Sequence, residues 1–152
     1  MSSGQLCILA IDPGGKPPNG TTGVALFRIG ARLELDGAWA IEGGAYGFSD
    51  WLTNMRHFLR HVDVVVCEKY VPYNKAGDPS PMLIEGMVLH EWPTAVFQPA
   101  SGKNTAIPDY VLKAQGWYDD KSHHHDVREA IRHGLFYLKK LNHHAVLQLF
   151  YS

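Results

Sequence analysis

Two apolar stretches of the sequence end in a carboxylic acid. The run "CILAID" ends at Asp12, and the run "VVVCE" ends at Glu68. Continuous apolar runs of this kind are typical of strands that are buried on both faces of a sheet. If the two strands are adjacent and parallel, the two carboxylates meet at one edge of the sheet and repel unless a cation lies between them. Since Mg²⁺ prefers hard oxygen ligands, the pair predicts a magnesium site.

Each of these two acids also has a simpler interpretation. Asp12 begins an Asp-Pro-Gly sequence that suits a turn, and Glu68 can be the exposed end of a strand beside Lys69. Their equivalent positions at two strand ends favour the ligand interpretation, because acids that cluster at a sheet edge are typical of an active site.

The late segment "HHHDVREAIRHGLFYL" contributes two further acids, Asp126 and Glu129, on a predicted helix. Helical geometry of ~100° per residue places Asp126 beside the apolar stripe and Glu129 towards solvent. Asp126 is therefore the better candidate to face the sheet, although the helix dipole also favours an acid in a first turn. Glu129 can instead form a surface ion pair with Arg128 or Arg132.

The predicted elements follow the order of three strands, a helix, a strand, a helix, a strand and a final group of helices. Strands are expected at 6–11, 22–29, 38–41, 63–67 and 94–97, and helices at 51–62 (capped by Ser49), 81–90, 108–115 and 123–141. This order predicts an α/β fold whose mixed five-stranded sheet has antiparallel strands 1–3 and parallel strands 4 and 5, flanked by helices. A chain of 152 residues suits one domain, residues 1–152.

The stretches "ILAIDPGG", "TTGVAL", "VVVCEKY" and "DVREA", taken in order, resemble the RuvC family of Holliday-junction resolvases in the RNase H-like superfamily. The resemblance covers most of the chain, and the compact chain is similar to the phage-encoded branch. It implies a metal-dependent, structure-specific endonuclease that cleaves phosphodiester bonds in branched DNA such as Holliday junctions. Position by position, it makes Asp12, Glu68, Asp126 and Glu129 catalytic ligands of two Mg²⁺ or Mn²⁺ ions. The sequence departs from the family at Glu129, where Asp is usual.

The resemblance and the local composition also predict residues that contact DNA. "PASGKNTAI" is similar to the family's proline-then-lysine stretch, which implies a phosphate contact for Lys103. The loop "EKYVPYNKAGDPSP" interleaves aromatic residues with lysines, which suits backbone contact and base stacking at an opened junction, or it is an ordinary polar loop. His133 either reaches the scissile phosphate or its water, or lies on the surface. The predicted DNA-binding residues are Lys69, Tyr70, Tyr73, Lys75, Lys103 and His133.

The helix predicted at 81–90 is apolar at Met82-Leu83-Ile84 and again at Met87-Val88-Leu89. Resemblance to dimeric resolvases implies that this helix pairs with its copy in a homodimer. Alternatively, it is an ordinary core helix.

Charge and composition bear on how the protein could bind DNA, on its location in the cell and on zinc binding. The net charge of −1 means that DNA binding needs a local basic patch rather than a global positive field. No run approaches the ~18 apolar residues of a membrane span, and "MSSGQL" lacks the features of a signal peptide. We therefore expect no membrane association and a cytoplasmic location, in a bacterium or, for a phage protein, in the host cell. The histidines at 123–125 fan out from a helix start and do not predict a zinc site.

Two other functions fit parts of the pattern. A protein of the same fold can bind junctions without cutting them, which the Glu at position 129 permits. A nucleotide-binding lobe of the actin and sugar-kinase type also has Asp-x-Gly after its first strand. That class needs two lobes and a second phosphate loop, and 152 residues supply one lobe.

Overall fold

A computed structural model of the protein describes residues 5–14, 20–69, 79–118 and 125–150. The described residues form a mixed five-stranded sheet with the order β3-β2-β1-β4-β5. The strands are β1 Leu6–Asp12, β2 Thr22–Ile29, β3 Leu33–Ile41, β4 Val64–Glu68 and β5 Val96–Gln98. β2 is antiparallel to both β1 and β3, whereas β4 runs parallel to β1 and β5 runs parallel to β4. The predicted fold class is confirmed.

Helices cover both faces of this sheet. They are α1 Gly44–Met55, α2 Ser80–Glu91, α3 Lys103–Ala106, α4 Asp109–Ala114, α5 His125–Lys140 and α6 His144–Leu147, with 3₁₀ turns at Phe58–His61 and Gln148–Phe150. α5 packs across β1 and β2 on one face, and α1 and α2 pack together on the other. Among the described residues, no helix has the length and apolar character that crossing a membrane requires.

The central strand β1 is buried on both faces, which explains its continuous apolar sequence. Ile8 and Ala10 belong to the core beneath α5, whereas Leu9 and Ile11 belong to the core beneath α1 and α2. None of these four residues has exposed surface. Because side chains alternate between the faces of a strand, a strand between two helical layers needs an apolar residue at every position. The strand and its apolar sequence both end at Asp12, the last residue of β1.

Two predicted elements have wrong bounds, and one helix has no predicted counterpart. The helix expected at 51–62 ends at Met55, and a separate 3₁₀ turn covers Phe58–His61. α1 begins at Gly44 instead of after Ser49, because Gly43 and Gly44, with φ of 94° and 59°, turn the chain directly into the helix. β3 begins at Leu33 instead of residue 38, since its acidic residues occupy the alternate, exposed positions of a half-buried strand. The short helix α3 was not expected from the sequence.

Two glycines allow α5 to lie close to the sheet. A Cβ atom on Gly23 would lie 1.9 Å from the backbone oxygen of Asp126, and one on Gly134 would lie 2.6 Å from the Phe27 ring. Gly23 pairs with Asp12 across β1 and β2. The missing side chain at Gly23 therefore lets the first turn of α5 lie against the end of β1 that carries Asp12.

We expect Gly23→Ala to push the first turn of α5 away from the sheet, because a clash with a backbone atom cannot be relieved by rotating a side chain. Overpacking of this kind costs about 1–3 kcal/mol, measurable as the free energy of unfolding in urea. Gly86→Ala in α2 is the matched control, since a Cβ there meets no atom within 4 Å. That control should gain about 0.5–1 kcal/mol. Equal stability of the two variants would contradict the close approach of α5.

Candidate active site

The parallel pairing of β1 and β4 brings the two strand-ending acids together. Ile11 pairs with Cys67, so the next residues along the two strands, Asp12 and Glu68, lie side by side. The adjacency and parallel direction predicted for these strands are confirmed. Asp12 is 9% exposed, and the side chain of Glu68 is 24% exposed. Both carboxylates are therefore largely removed from water, which strengthens the repulsion between them.

Helix α5 adds the other two acids. Asp126 lies in its first turn, where the backbone rests on Gly23, and the charges of Asp126 and Glu129 both contribute to raising the pKa of Asp12. The solvent-facing position predicted for Glu129 is wrong, because its side chain is only 16% exposed and pairs with buried cations. The prediction failed because the buried face of α5 also includes the polar residues Arg132 and His133, which an apolar stripe does not reveal.

Lys103 joins the acids of the sheet to those of α5. Its Nζ lies 2.7 Å from Oε1 of Glu68 and 3.2 Å from Oε1 of Glu129, and the residue is 4% exposed. Burial by itself would lower the pKa of Lys103, but the nearby carboxylates, led by Asp12 and Glu68, outweigh burial and raise it. The lysine thus stays charged. Its ammonium contacts the carboxylates of Glu68 and Glu129, and the phosphate contact expected for Lys103 stays a prediction.

The surroundings of Asp12 strongly disfavour the charged form of its carboxyl group. Burial, and next the charge of Glu68, raise the pKa of Asp12 well above its ordinary value, and Lys103 offsets this only in part. The pKa of Asp126 is also raised, mainly by burial. Carboxylates that raise one another's pKa in a partly buried position are typical of sites that take up a cation.

The four acids fit a hard divalent cation by donor type, since carboxylate oxygens are the ligands that Mg²⁺ and Mn²⁺ prefer. Across the described ranges, however, no three acidic, histidine or cysteine side chains are grouped closely enough to hold one metal ion. The ammonium of Lys103 bridges Glu68 and Glu129 instead. Binding of a divalent ion by these acids therefore requires their side chains, and that of Lys103, to rearrange.

Arg132 lies beside the second carboxylate oxygen of Glu129 and forms an ion pair with it without a hydrogen bond. Its Nε lies 3.5 Å from Oε2 of Glu129, its Nη1 donates to the backbone oxygen of Ile107 at 2.9 Å, and its Nη2 pairs with Asp109. The hydrogen bond from Arg132 is the main cause of a lowered pKa for Asp109. The sequence pattern predicts only a surface ion pair for Arg132 and gives no signal for its contact with Asp109, because the two residues lie 23 positions apart.

His133 is buried behind Glu68, so the surface position considered for it is wrong. The residue has no exposed surface, and its Nδ1 lies 4.0 Å from Oε1 of Glu68. Gln98, which the sequence did not single out, donates a hydrogen bond to the backbone oxygen of His133 at 3.2 Å. Burial, and next the charge of Lys103, lower the pKa of His133 to about 3. The ring is therefore neutral at physiological pH, and a direct contact with DNA would require it to be uncovered.

The remaining predicted DNA contacts belong to one loop. Lys69 is exposed directly after Glu68, and its backbone N–H donates to the backbone oxygen of Gln98 at 2.9 Å. Tyr70, Tyr73 and Lys75 lie outside the described residues. The DNA contacts of these four residues stay predictions.

The sheet order and the acids at the ends of β1 and β4 define an α/β fold of the RNase H-like class. Comparison with solved structures finds proteins whose folds are similar to that of this chain. RuvC of Thermus thermophilus in complex with a Holliday junction matches with a TM-score of 0.68 at 12% identity, over 92% of this chain and 97% of that one. The fowlpox virus resolvase with Holliday junction DNA matches with a TM-score of 0.60 at 16% identity, over 90% and 99%.

These likenesses show that the chain has a RuvC-like fold, and the resemblance recognised in its sequence is confirmed at the level of the fold. Another crystal structure of the fowlpox virus Holliday junction resolvase matches this chain with a TM-score of 0.53 at 15% identity, over 89% of this chain and 99% of that one. No protein-family model and no curated protein matches the chain in sequence.

We expect Asp12→Asn to stabilise the metal-free protein at neutral pH. Because the pKa of Asp12 is raised on folding, the native state binds its proton more tightly than the unfolded chain, and stability falls as the pH rises from 3.8 through the native pKa. Removing the charge should raise the Tm by about 2–4 °C for each kcal/mol regained. The gain should disappear near pH 3.5, as checked by thermal unfolding across a pH series.

Lys103→Met should lower the stability of the metal-free protein, the opposite of the effect expected for Asp12→Asn. It removes the cation that offsets the repulsion among the acids. This variant should unfold at a lower temperature than the wild-type protein at pH 7 without divalent ions. An Asp12→Asn protein that is less stable than wild type at pH 7 would contradict the electrostatic account of the cluster.

Proposed function

We propose that this protein is a divalent-metal-dependent endonuclease that cuts branched DNA such as four-way junctions. The observation that carries the proposal is that Glu68 and Glu129 contact the buried Lys103 on a sheet of the RuvC-like fold, while Asp12 lies beside Glu68 and is close enough to Asp126 for the charge of Asp126 to raise its pKa. Acids from three separate elements meet here at an electrostatic cost that a structural role alone does not explain. That two similar structures hold Holliday junction DNA supports branched DNA as the substrate.

The chemistry of the proposed reaction is phosphodiester hydrolysis. A pair of divalent ions, held by Asp12, Glu68, Asp126 and Glu129, would supply an activated water and neutralise charge on the leaving oxygen. The chain's own contribution is orientation. Arg132 lies 3.5 Å from Oε2 of Glu129 and His133 lies 4.0 Å from Oε1 of Glu68, so both would restrict the positions that these carboxylates can take. Lys103, once released from these carboxylates, supplies a positive charge for an oxygen of the scissile phosphate.

A second candidate function is junction binding without cutting. The observation that favours it is the pair of ion pairs made by Lys103, which compensate Glu68 and Glu129 without a metal ion. The Glu at position 129, where the resembling family usually has Asp, favours it as well. The two candidates differ in one observable, the production of cut strands.

We further propose that the protein acts as a homodimer that is formed through α2. One side of this helix packs on the sheet through Ile84 and Val88, which have no exposed surface. Met82, Leu83 and Leu89 on its other side remain 57%, 53% and 51% exposed. A concentration of exposed apolar side chains on one helix is typical of an association surface. A two-fold dimer would present two equivalent sites, which matches the two strands that must be cut to resolve a junction.

The cleavage prediction is tested on a labelled four-way junction beside linear duplex, flap and fork substrates of the same sequence. Wild-type protein should cut the junction only when Mg²⁺ or Mn²⁺ is added. Asp12→Asn and Glu68→Gln should each reduce the cleavage rate by at least ~100-fold while junction binding, followed by gel shift, stays within a few-fold of wild type. Glu34→Gln on β3 is the matched control, because its side chain is 62% exposed and far from the cluster.

The cleavage and binding assays together distinguish a nuclease from a protein that binds junctions without cutting them. Tight junction binding without cut strands in either metal selects the non-cleaving binder. Cutting by Asp12→Asn at the wild-type rate would refute the assignment of the metal site.

The dimer prediction is tested by light scattering during size-exclusion chromatography. Wild-type protein should elute with about twice the 17.0 kDa mass of the chain, whereas Leu83→Glu should shift it towards the monomer, because a charge at the centre of an apolar interface is left without solvent. Leu141→Glu, a substitution at an equally exposed leucine after α5, should remain dimeric. A monomeric wild-type protein would refute the dimer.

A further inference from the structure

A cavity of about 400 Å³ opens between α4 and α5, and it shares Glu129 with the acid cluster. We call it the α4–α5 groove. The lining residues that matter here are Asp109, Tyr118, His125, Arg128, Glu129 and Arg132. The volume is in the range of pockets that take up small molecules, and a nucleotide unit is of that size. Because Glu129 lines the groove and also pairs with Lys103 in the acid cluster, the groove adjoins the proposed cleavage site.

Positive charge is concentrated around this groove. Arg132 spans Asp109 and Glu129, and Lys103 reaches the other oxygen of Glu129, so both acids of the groove are matched by buried cations. Lys113 on α4 and Arg128 on α5 are two more cations close to the groove, and their charges, after the hydrogen bond from Arg132, help to lower the pKa of Asp109. The groove therefore differs in character from the acid cluster beside it and suits a polyanion.

Tyr118 orders the two outer cations. The guanidinium carbon of Arg128 lies 4.4 Å from the centre of the Tyr118 ring, and Nζ of Lys113 lies 4.7 Å from it. Nη2 of Arg128 also lies 3.1 Å from Nδ1 of His125. Cations held over an aromatic ring lose less conformational freedom when they bind an anion. Because the ring is engaged by cations, the arrangement favours a phosphate group over a stacked base.

We propose that the α4–α5 groove binds backbone phosphates of the DNA strand next to the scissile phosphate. The contacts are Arg128 in the lining and Lys113, which lies outside the lining on the ring of Tyr118, and Tyr118 positions both cations. The proposal rests on the proposed nuclease function and assigns the DNA contacts on one side of its site. It adds a local basic patch to a chain whose net charge is −1.

The test measures junction affinity against salt concentration by fluorescence anisotropy, in an Asp12→Asn background that prevents cutting. Arg128→Gln and Lys113→Gln should each weaken binding, and each should reduce the slope of log K against log salt by about 0.9, the value for one lost phosphate contact. Tyr118→Ala should weaken binding, whereas Tyr118→Phe, which keeps the ring, should not. Arg60→Gln is the matched control, because Arg60 is exposed in the 3₁₀ turn that precedes β4, at the opposite end of that strand from Glu68.

A second measurement locates the phosphate. After the cut position has been mapped with wild-type protein, neutral methylphosphonates replace single phosphates around it. A replacement next to the cut should weaken binding by the Asp12→Asn protein but not by the protein that also carries Arg128→Gln. Unchanged salt slopes for both charge variants, with junction binding intact, would overturn the groove proposal and leave the nuclease proposal standing. Failure of the Asp12→Asn parent to bind any junction would overturn both.

Discussion

The ion pairs of Lys103 are the interaction on which the candidate site depends. Four carboxylates brought together in a partly buried place repel one another, and the repulsion grows as water is excluded. Lys103 reduces this repulsion by contacting Glu68 from the sheet and Glu129 from α5. Its charge is stable because the same carboxylates keep its pKa high despite burial. The fold thereby keeps these acids close together, with part of their repulsion offset by the charge of Lys103.

The positions of the acids follow from backbone geometry more than from side-chain chemistry. Asp12 and Glu68 are neighbours because β1 and β4 pair in parallel with Ile11 opposite Cys67. α5 reaches them because Gly23 has no side chain to hold the helix away. Two buried polar residues lie against the acids, Arg132 beside Glu129 and His133 beside Glu68. These polar residues are buried at a cost in stability, which is the usual compromise at a functional site.

Several features of the protein could be predicted from local sequence patterns. The apolar runs that end at Asp12 and Glu68 indicated buried strands, and their order with the helices indicated a mixed sheet with β1 beside β4. These predictions succeeded because a strand buried on both faces leaves a short-range signal in every residue. The boundaries of α1 and β3 were less accurate, because Gly43 and Gly44 start the helix without a side-chain cap and the acids of β3 conceal its alternation.

By itself, the sequence indicated the buried strands and the mixed sheet, because each apolar run and its ending are visible in consecutive residues, and it singled out Asp12 and Glu68 as the acids that end two of these runs. Only the tertiary structure decided that Glu129 faces the cluster, that Lys103 bridges two acids, and that Arg132 and His133 are buried. Each of these depends on a partner that is distant in the chain, such as Glu68 for Lys103, 35 positions away. A helical wheel finds a buried face from its apolar residues, and it cannot recognise a charged residue whose burial is compensated by a charge on another element.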